Sequence, residues 1–144
     1  MALIIKKWVE TSFLGQYDVF VSSDIRDLPA GKKWFSEIDK ALHDSIVFLV
    51  LCSSKSISRP WVNFESGCAF MRGVDVIPLC HSGITKGNLP SPLSIFQALE
   101  IGSSSFVMDF LSSLAKCLNI STIPIIDQKE MVSDIKKNHI GNIG

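Results

Sequence analysis

The amino-acid sequence predicts a three-layer α/β domain, in which helices cover both faces of a mostly parallel sheet. Two observations support this prediction. Segments with the composition of strands alternate along the chain with segments that have the apolar spacing of helices. In addition, residues 46–51 (IVFLVL) form an apolar run without a polar interruption. Such a run is typical of a strand that is buried on both faces of a parallel sheet.

Four strands are predicted from composition and from the turn residues that flank them. They cover residues 17–22, 45–52, 74–80 and 98–101. We expect Pro78 to suit the end of its strand better than the middle, because proline cannot donate a backbone hydrogen bond to a neighbouring strand.

Helices are predicted where apolar residues recur at spacings of three and four. Pro60 suits the first turn of one of them, and Gly73 suits its end. We expect residues 1–118 to form the domain and residues 119–144 to form a C-terminal tail. The predicted helices are residues 2–13, 32–43, 61–72 and 106–118, with a short helix at 128–137 in the tail.

Composition excludes several classes of protein. The 144 residues suffice for one core without a disulfide or metal, and 14 basic residues balance 14 acidic ones. A chain without net charge has no strongly basic surface for nucleic acid. No apolar run reaches the roughly 18 residues of a membrane span, and the N-terminus does not have the pattern of a secretory signal. We therefore expect a cytoplasmic protein without a nucleic-acid or membrane partner.

The four cysteines are widely spaced, without a C-x-x-C motif or a nearby pair of histidines. This spacing favours buried free thiols and does not predict a metal site. The cysteines are Cys52, Cys68, Cys80 and Cys117.

Parallel α/β sheets bind ligands beyond the carboxyl ends of their strands. In this chain that edge carries the loops at residues 22–31, 53–60 and 81–92. His81 begins the last of these loops, and for a histidine in such a place an exposed position is the commoner case.

One helix carries a candidate site. Trp61 and Glu65 are four residues apart, so they lie one turn apart on one face of the helix. The small residues at 66–69 would leave a hollow beside the carboxylate. A carboxylate next to an aromatic wall can bind a sugar ring and stabilise positive charge at its anomeric carbon. The alternative is that Glu65 is a solvated helix residue and that Trp61 belongs to the core.

The order of the motifs is more specific than any one of them. A strand is followed by D-x-x-x-L-P-A-G-x-x-W from Asp24, an apolar strand, R-P-W-V-N-F-E at residues 59–65, and V-I-P-L at residues 76–79. This order resembles the TIR (Toll/interleukin receptor) family, in the form common in bacteria. The resemblance covers about residues 8–118 and is strongest over residues 17–81.

The resemblance implies a flavodoxin-like α/β/α sandwich and an NAD+ glycohydrolase that acts in bacterial defence or signalling. Such an enzyme cleaves the bond between nicotinamide and ribose and releases ADP-ribose or a cyclic form. NAD+ is then the substrate, and no cofactor is expected. By the same resemblance Glu65 is the catalytic carboxylate, and the substrate-binding residues are Trp61, Trp34, Asp24 and Ser23.

The resemblance also implies partners. The loop at residues 24–31 matches the family's mobile loop, which gates the site and builds assemblies. We therefore expect self-association, or binding to other TIR domains, through this loop. The alternative function is a TIR-like interaction module, or a truncated TIR domain, that does no chemistry.

The sequence departs from the family in one respect, because only one strand precedes the loop and the sheet is one strand short of the usual five. In the alignment that we prefer, residues 17–21 are the second strand, residues 2–13 are the first helix, and the opening strand is absent. In the other, residues 17–22 are the opening strand and a helix–strand unit is deleted. A gene truncated at its start is the simplest explanation.

Loss of a central strand leaves its neighbours without a pairing partner. Three repairs are open. The remaining strand moves in beside residues 46–51, residues 122–126 supply a strand, or a second chain contributes one.

Overall fold

The computed structural model describes residues 1–13, 19–21, 45–123 and 126–140. Within these residues the helices and strands follow one another in the predicted order. The helices are α1 (Ala2–Ser12), α2 (Pro60–Met71), α3 (Phe106–Cys117) and α4 (Gln128–Ile140), and the strands are β1 (Val19–Val21), β2 (Val47–Cys52), β3 (Asp75–Cys80) and β4 (Leu99–Glu100). The predicted helix at residues 32–43 lies outside the described residues.

The described strands form one parallel sheet in the order β1-β2-β3-β4. Each observed strand falls within a predicted one, and helices flank the sheet. The predicted α/β sandwich with a parallel sheet is therefore confirmed. None of the helices in the described part of the chain is long and apolar enough to cross a membrane.

Strand β1 lies directly beside β2, with Val19 opposite Val47. The first of the three predicted repairs is therefore the one observed, and no other strand separates β1 from β2. The strand order fits both alignments of the N-terminal segment, because removing either of the first two strands from the order 2-1-3-4-5 leaves a sequential sheet.

Strand β2 separates two apolar layers. Val47 and Leu49 face a core that α1, α3 and α4 cover, whereas Phe48 and Val50 face a second core under α2. All four side chains are completely buried. This explains the apolar run in the sequence, because a strand between two helical layers has no face in water.

Helix α2 packs its small residues against the sheet. Ser66 and Ala69 are buried, and the hydroxyl of Ser66 donates to the carbonyl of Val62 at 2.7 Å. The helix ends as predicted at Gly73, whose φ of +72° favours glycine. The amide of Val74 then donates to the carbonyl of Ala69 at 3.0 Å.

The expectation for Pro78 is wrong, because this residue lies inside β3 opposite Val50. The amides of Asp75 and His81 donate to β2, so odd-numbered residues of β3 direct their amides to that side. Pro78 is therefore turned towards β4, whose pairing begins only at Leu99 opposite Leu79. Its missing amide interrupts no hydrogen bond between β2 and β3.

The C-terminal helix α4 packs on the domain through Met131 and Ile135, which are both buried. Asp134, between them, accepts hydrogen bonds from Nζ of Lys7 at 3.2 Å and from Nε1 of Trp8 at 3.1 Å. Helix α4 thus closes the same core as α1. The division of the chain at residue 118 stays a prediction.

Candidate functional site

The carboxyl ends of the strands meet at one edge of the sheet, as expected for parallel strands. Two of the loops that leave this edge are joined. The amide and the hydroxyl of Ser54, after β2, both donate to the carbonyl of Ser82, after β3, at 3.4 and 3.2 Å. The two loops therefore form one connected surface.

The serine-rich loop after β2 uses its hydroxyls for its own architecture. Ser56 Oγ donates to the carbonyl of Leu51 at 2.8 Å and accepts from the amide of Ser53 at 2.8 Å. Ser58 Oγ donates to the carbonyl of Lys55 at 2.9 Å. These bonds satisfy backbone groups in the turn and bring the chain to Pro60, where α2 begins.

Trp61 and Glu65 form a hydrogen-bonded pair on α2. The indole Nε1 of Trp61 donates to Oε1 of Glu65 at 2.7 Å. Only 4% of Glu65 is exposed, so the alternative of a solvated helix residue is wrong. Trp61 is half-buried rather than part of the core, and its ring stacks on Phe64 with 5.0 Å between the centroids.

The residues that follow Glu65 do not all border a hollow. Ser66 and Ala69 are packed against the sheet, as described above. A Cβ added to Gly67 would meet open space. Cys68 lies close enough to Glu65 to be affected by it, because burial and then the charge of Glu65 raise the pKa of its thiol. Gly67 is exposed on the surface of the helix, so this open space is solvent rather than a hollow beside the carboxylate.

His81 is half-buried, which differs from the exposed loop position that the sequence favoured. Its Nδ1 is 2.9 Å from the hydroxyl of Ser82. Burial lowers the pKa of His81 to about 4, with smaller contributions from His139 and from the amino terminus of Met1. The imidazole of His81 is therefore neutral at pH 7.

His139 brings α4 to the same edge of the sheet. Its Nε2 lies 3.6 Å from the position of a Cβ added to Gly102, just beyond β4. Sequence reasoning missed this residue, because its position depends on how α4 packs and no local pattern reports that.

Comparison with known proteins shows which family the chain belongs to. The family model described as TIR domain matches residues 5–115, which is most of the chain. This chain belongs to the TIR domain family. The match runs from α1 into α3 and includes every described strand of the TIR domain, whereas α4 follows it. A search of the curated proteins finds no match.

The other predicted site residues of this TIR domain are not among the described ones. Ser23, Asp24, Trp34 and the loop at residues 22–31 lie outside the described residues. Of the predicted site, the structure therefore brings together Trp61 and Glu65.

A cavity of about 530 Å³ lies elsewhere on the TIR domain, between α3 and residues 86–99. Lys86, Phe96 and Lys116 are among its lining residues, and neither Trp61 nor Glu65 is. Within the described ranges, no group of three His, Cys, Asp or Glu side chains is arranged to hold a metal ion.

Proposed function

We propose that this TIR domain is an NAD+ glycohydrolase that acts in bacterial defence or signalling, with Glu65 as the catalytic carboxylate. The observation that carries this proposal is the burial of Glu65 at 4% exposure, with its carboxyl group held by Trp61 at 2.7 Å. Acidic side chains are almost never fully buried unless they are paired, so this burial sets Glu65 apart from an ordinary surface carboxylate. The reaction is the one that the family resemblance implies, and the burial of Glu65 supports its assignment as the catalytic carboxylate.

The chemistry requires a stabilised positive charge. When the bond between nicotinamide and ribose breaks, nicotinamide leaves with the bonding electron pair and the sugar acquires oxocarbenium character. Water then attacks the anomeric carbon and releases a proton, which gives ADP-ribose. A carboxylate in a water-poor site stabilises such a charge more strongly than one in water. NAD+ is the substrate, and the reaction needs no cofactor.

Trp61 has a positioning role in this proposal. Its indole N–H restricts the carboxyl group of Glu65 to one orientation, and its ring is held in turn by Phe64. A group that is already oriented needs no reorganisation when charge develops. Trp61 therefore does more than supply the apolar wall that the sequence suggested.

The test measures nicotinamide release from NAD+ by the purified protein at high concentration. We expect Glu65→Gln to lower the rate by roughly 100-fold or more, as for other groups that stabilise a transition state. The matched control is Glu100→Gln. Glu100 also lies at the carboxyl edge, and its Oε1 accepts the amide of Lys86 at 2.9 Å, an acceptor that glutamine retains. Equal turnover by the wild type and Glu65→Gln would refute the proposal.

Self-association through residues 24–31 is part of the same proposal. The rate per molecule should then rise with protein concentration. A rate per molecule that stays constant over the whole concentration range would contradict this part alone.

The second candidate is an interaction module without catalysis. It is favoured by exposed apolar side chains at the end of α2, where Phe70 is 55% and Met71 is 82% exposed. Such residues are common at protein interfaces. This candidate predicts that the wild type and Glu65→Gln are equally inactive, and that Met71→Lys weakens self-association measured by sedimentation.

A further inference from the structure

Two cysteines face each other across neighbouring strands. Cys52 at the end of β2 and Cys80 at the end of β3 are register partners. Adjacent strands are about 4.7–4.9 Å apart, which is within the Cα separation of about 4.4–6.8 Å found for disulfides. Both side chains belong to the core cluster under α2, so they lie on the same face of the sheet. We refer to Cys52 and Cys80 as the thiol pair.

The other two cysteines have different surroundings. Cys68 is half-buried on α2, and Cys117 is on α3, where its thiol is affected by Asp75 at the beginning of β3. All four cysteines are free thiols, and Cys52 and Cys80 are the two that occupy paired strand positions. The geometry therefore favours one pairing over the others.

We propose that the thiol pair is a modification site, which a small hydroperoxide converts into a reversible cross-strand disulfide between Cys52 and Cys80. The proposal is independent of NAD+ cleavage. The first thiolate attacks a peroxide oxygen, which breaks the O–O bond and gives a sulfenic acid. The second thiol attacks that sulfur and displaces water. In total, two thiols and one hydrogen peroxide give one disulfide and two molecules of water.

Burial determines which oxidants react and how fast. Cys52 and Cys80 are 0% and 1% exposed. Burial raises the pKa of the Cys52 thiol to about 12 and that of Cys80 to about 11. Because the thiolate is the reactive form, oxidation at neutral pH is slow and accelerates as pH rises. A molecule close in size to water reaches such a site more readily than glutathione disulfide does.

A disulfide at the thiol pair would join the ends of β2 and β3, next to the loops at the carboxyl edge of the sheet. The carbonyl of Cys52 accepts the amide of His81 at 2.9 Å, and that of Cys80 accepts the amide of Ile101 at 2.9 Å. The bond would therefore fasten β2 and β3 where the loops linked by Ser54 and Ser82 begin. Because paired strands leave little freedom to reach relaxed disulfide geometry, the bond should have a higher reduction potential than a relaxed disulfide, although burial slows the approach of the reductant.

The experiment treats the folded protein with hydrogen peroxide, blocks the remaining thiols, and maps the peptides without reduction. We expect a peptide that joins Cys52 to Cys80, with a mass loss of two hydrogen atoms, which dithiothreitol reverses. Cys117→Ala should form the same product, whereas Cys52→Ala, verified as folded by circular dichroism, should not. Hydrogen exchange of the backbone at residues 53–59 should slow in the oxidised protein.

A second variant keeps the test independent of the folding of Cys52→Ala. The double variant Cys68→Ala/Cys117→Ala retains only the thiol pair and should still form the intramolecular disulfide. The proposal is overturned if Cys52 and Cys80 stay reduced at a peroxide dose that fully oxidises Cys68. A main product that links Cys68 to either member of the thiol pair overturns it as well.

Discussion

The carboxylate of Asp134 on α4 accepts a 3.1 Å hydrogen bond from the indole Nε1 of Trp8 on α1. Trp8 is only 3% exposed, so its indole N–H depends on a protein partner. Nζ of Lys7 donates to the same carboxylate oxygen at 3.2 Å. One acidic side chain thus connects the first and the last described helices.

Substitutions at Asp134 should separate the two interactions. Asp134→Asn keeps an oxygen that can accept from Trp8 but removes the charge that attracts Lys7. Asp134→Ala removes both. We expect Asp134→Ala to lower the thermal midpoint more than Asp134→Asn, because an unsatisfied buried donor costs more than an exposed ion pair. Equal midpoints for the two variants would show that the bond to Trp8 contributes nothing.

Asp134 should also make the stability of the protein depend on pH in the acidic range. The hydrogen bond from Lys7 lowers the pKa of Asp134 below its usual 3.8. Its contribution to stability is therefore full above pH 3.8 and is lost as pH falls through the lower value in the folded protein. Urea midpoints measured in this acidic range should change less with pH in Asp134→Asn than in the wild type.

His81 should make the stability of the protein depend on pH as well, over a range that lies above that of Asp134. Its pKa falls from 6.5 in the unfolded chain to about 4 in the folded protein, chiefly through burial. Between these values the unfolded chain binds the proton and the folded protein does not, so stability decreases as pH falls from 6.5 to 4. His81→Gln should flatten this part of the profile in urea titrations. An unchanged profile in His81→Gln would contradict the assignment.

Trp61→Phe tests the positioning role that we propose for Trp61. Phenylalanine keeps an aromatic ring against Phe64 but has no N–H to donate to Glu65. Loss of a donor to a buried carboxyl group should cost about 1–3 kcal/mol of stability. If Glu65 is catalytic, kcat for NAD+ cleavage should fall with little change in KM. A fall in affinity alone would indicate that Trp61 only lines the pocket.

Two glycines, one inside α2 and one just beyond its end, give a matched pair. Gly67 lies inside the helix with open space around it, so Gly67→Ala should stabilise the protein by roughly 0.5–1 kcal/mol. Gly73 has a φ of +72°, so Gly73→Ala should destabilise it by roughly 1–2 kcal/mol. Thermal unfolding measures both. A lower midpoint in Gly67→Ala than in the wild type would contradict the open space at this position.

The sequence was most informative where local chemistry decides the structure. The apolar run of β2 predicted a strand buried on two faces, and Pro60 and Gly73 predicted the limits of α2. Both predictions are confirmed. These features depend on neighbouring residues and on backbone conformation, so they can be recognised without knowledge of distant contacts.

Features that depend on distant contacts could not be predicted in the same way. The spacing of Trp61 and Glu65 placed them on one helix face, but only tertiary packing decides that Glu65 is buried. His81 and His139 are 58 positions apart in the sequence, and they approach only because α4 folds back along the domain. Periodicity reports the buried face of a helix, but it does not identify the element that covers that face.

The orientation of Pro78 also limits how far the sheet can grow. Because Pro78 has no amide to offer towards β4, pairing on that side begins only at Leu79, and β4 is two residues long. An edge this short gives an incoming strand few backbone groups to pair with. Among the described strands, Pro78 thereby keeps the edge at β4 short, and a short edge is a poorer template for strand-to-strand aggregation than a long one.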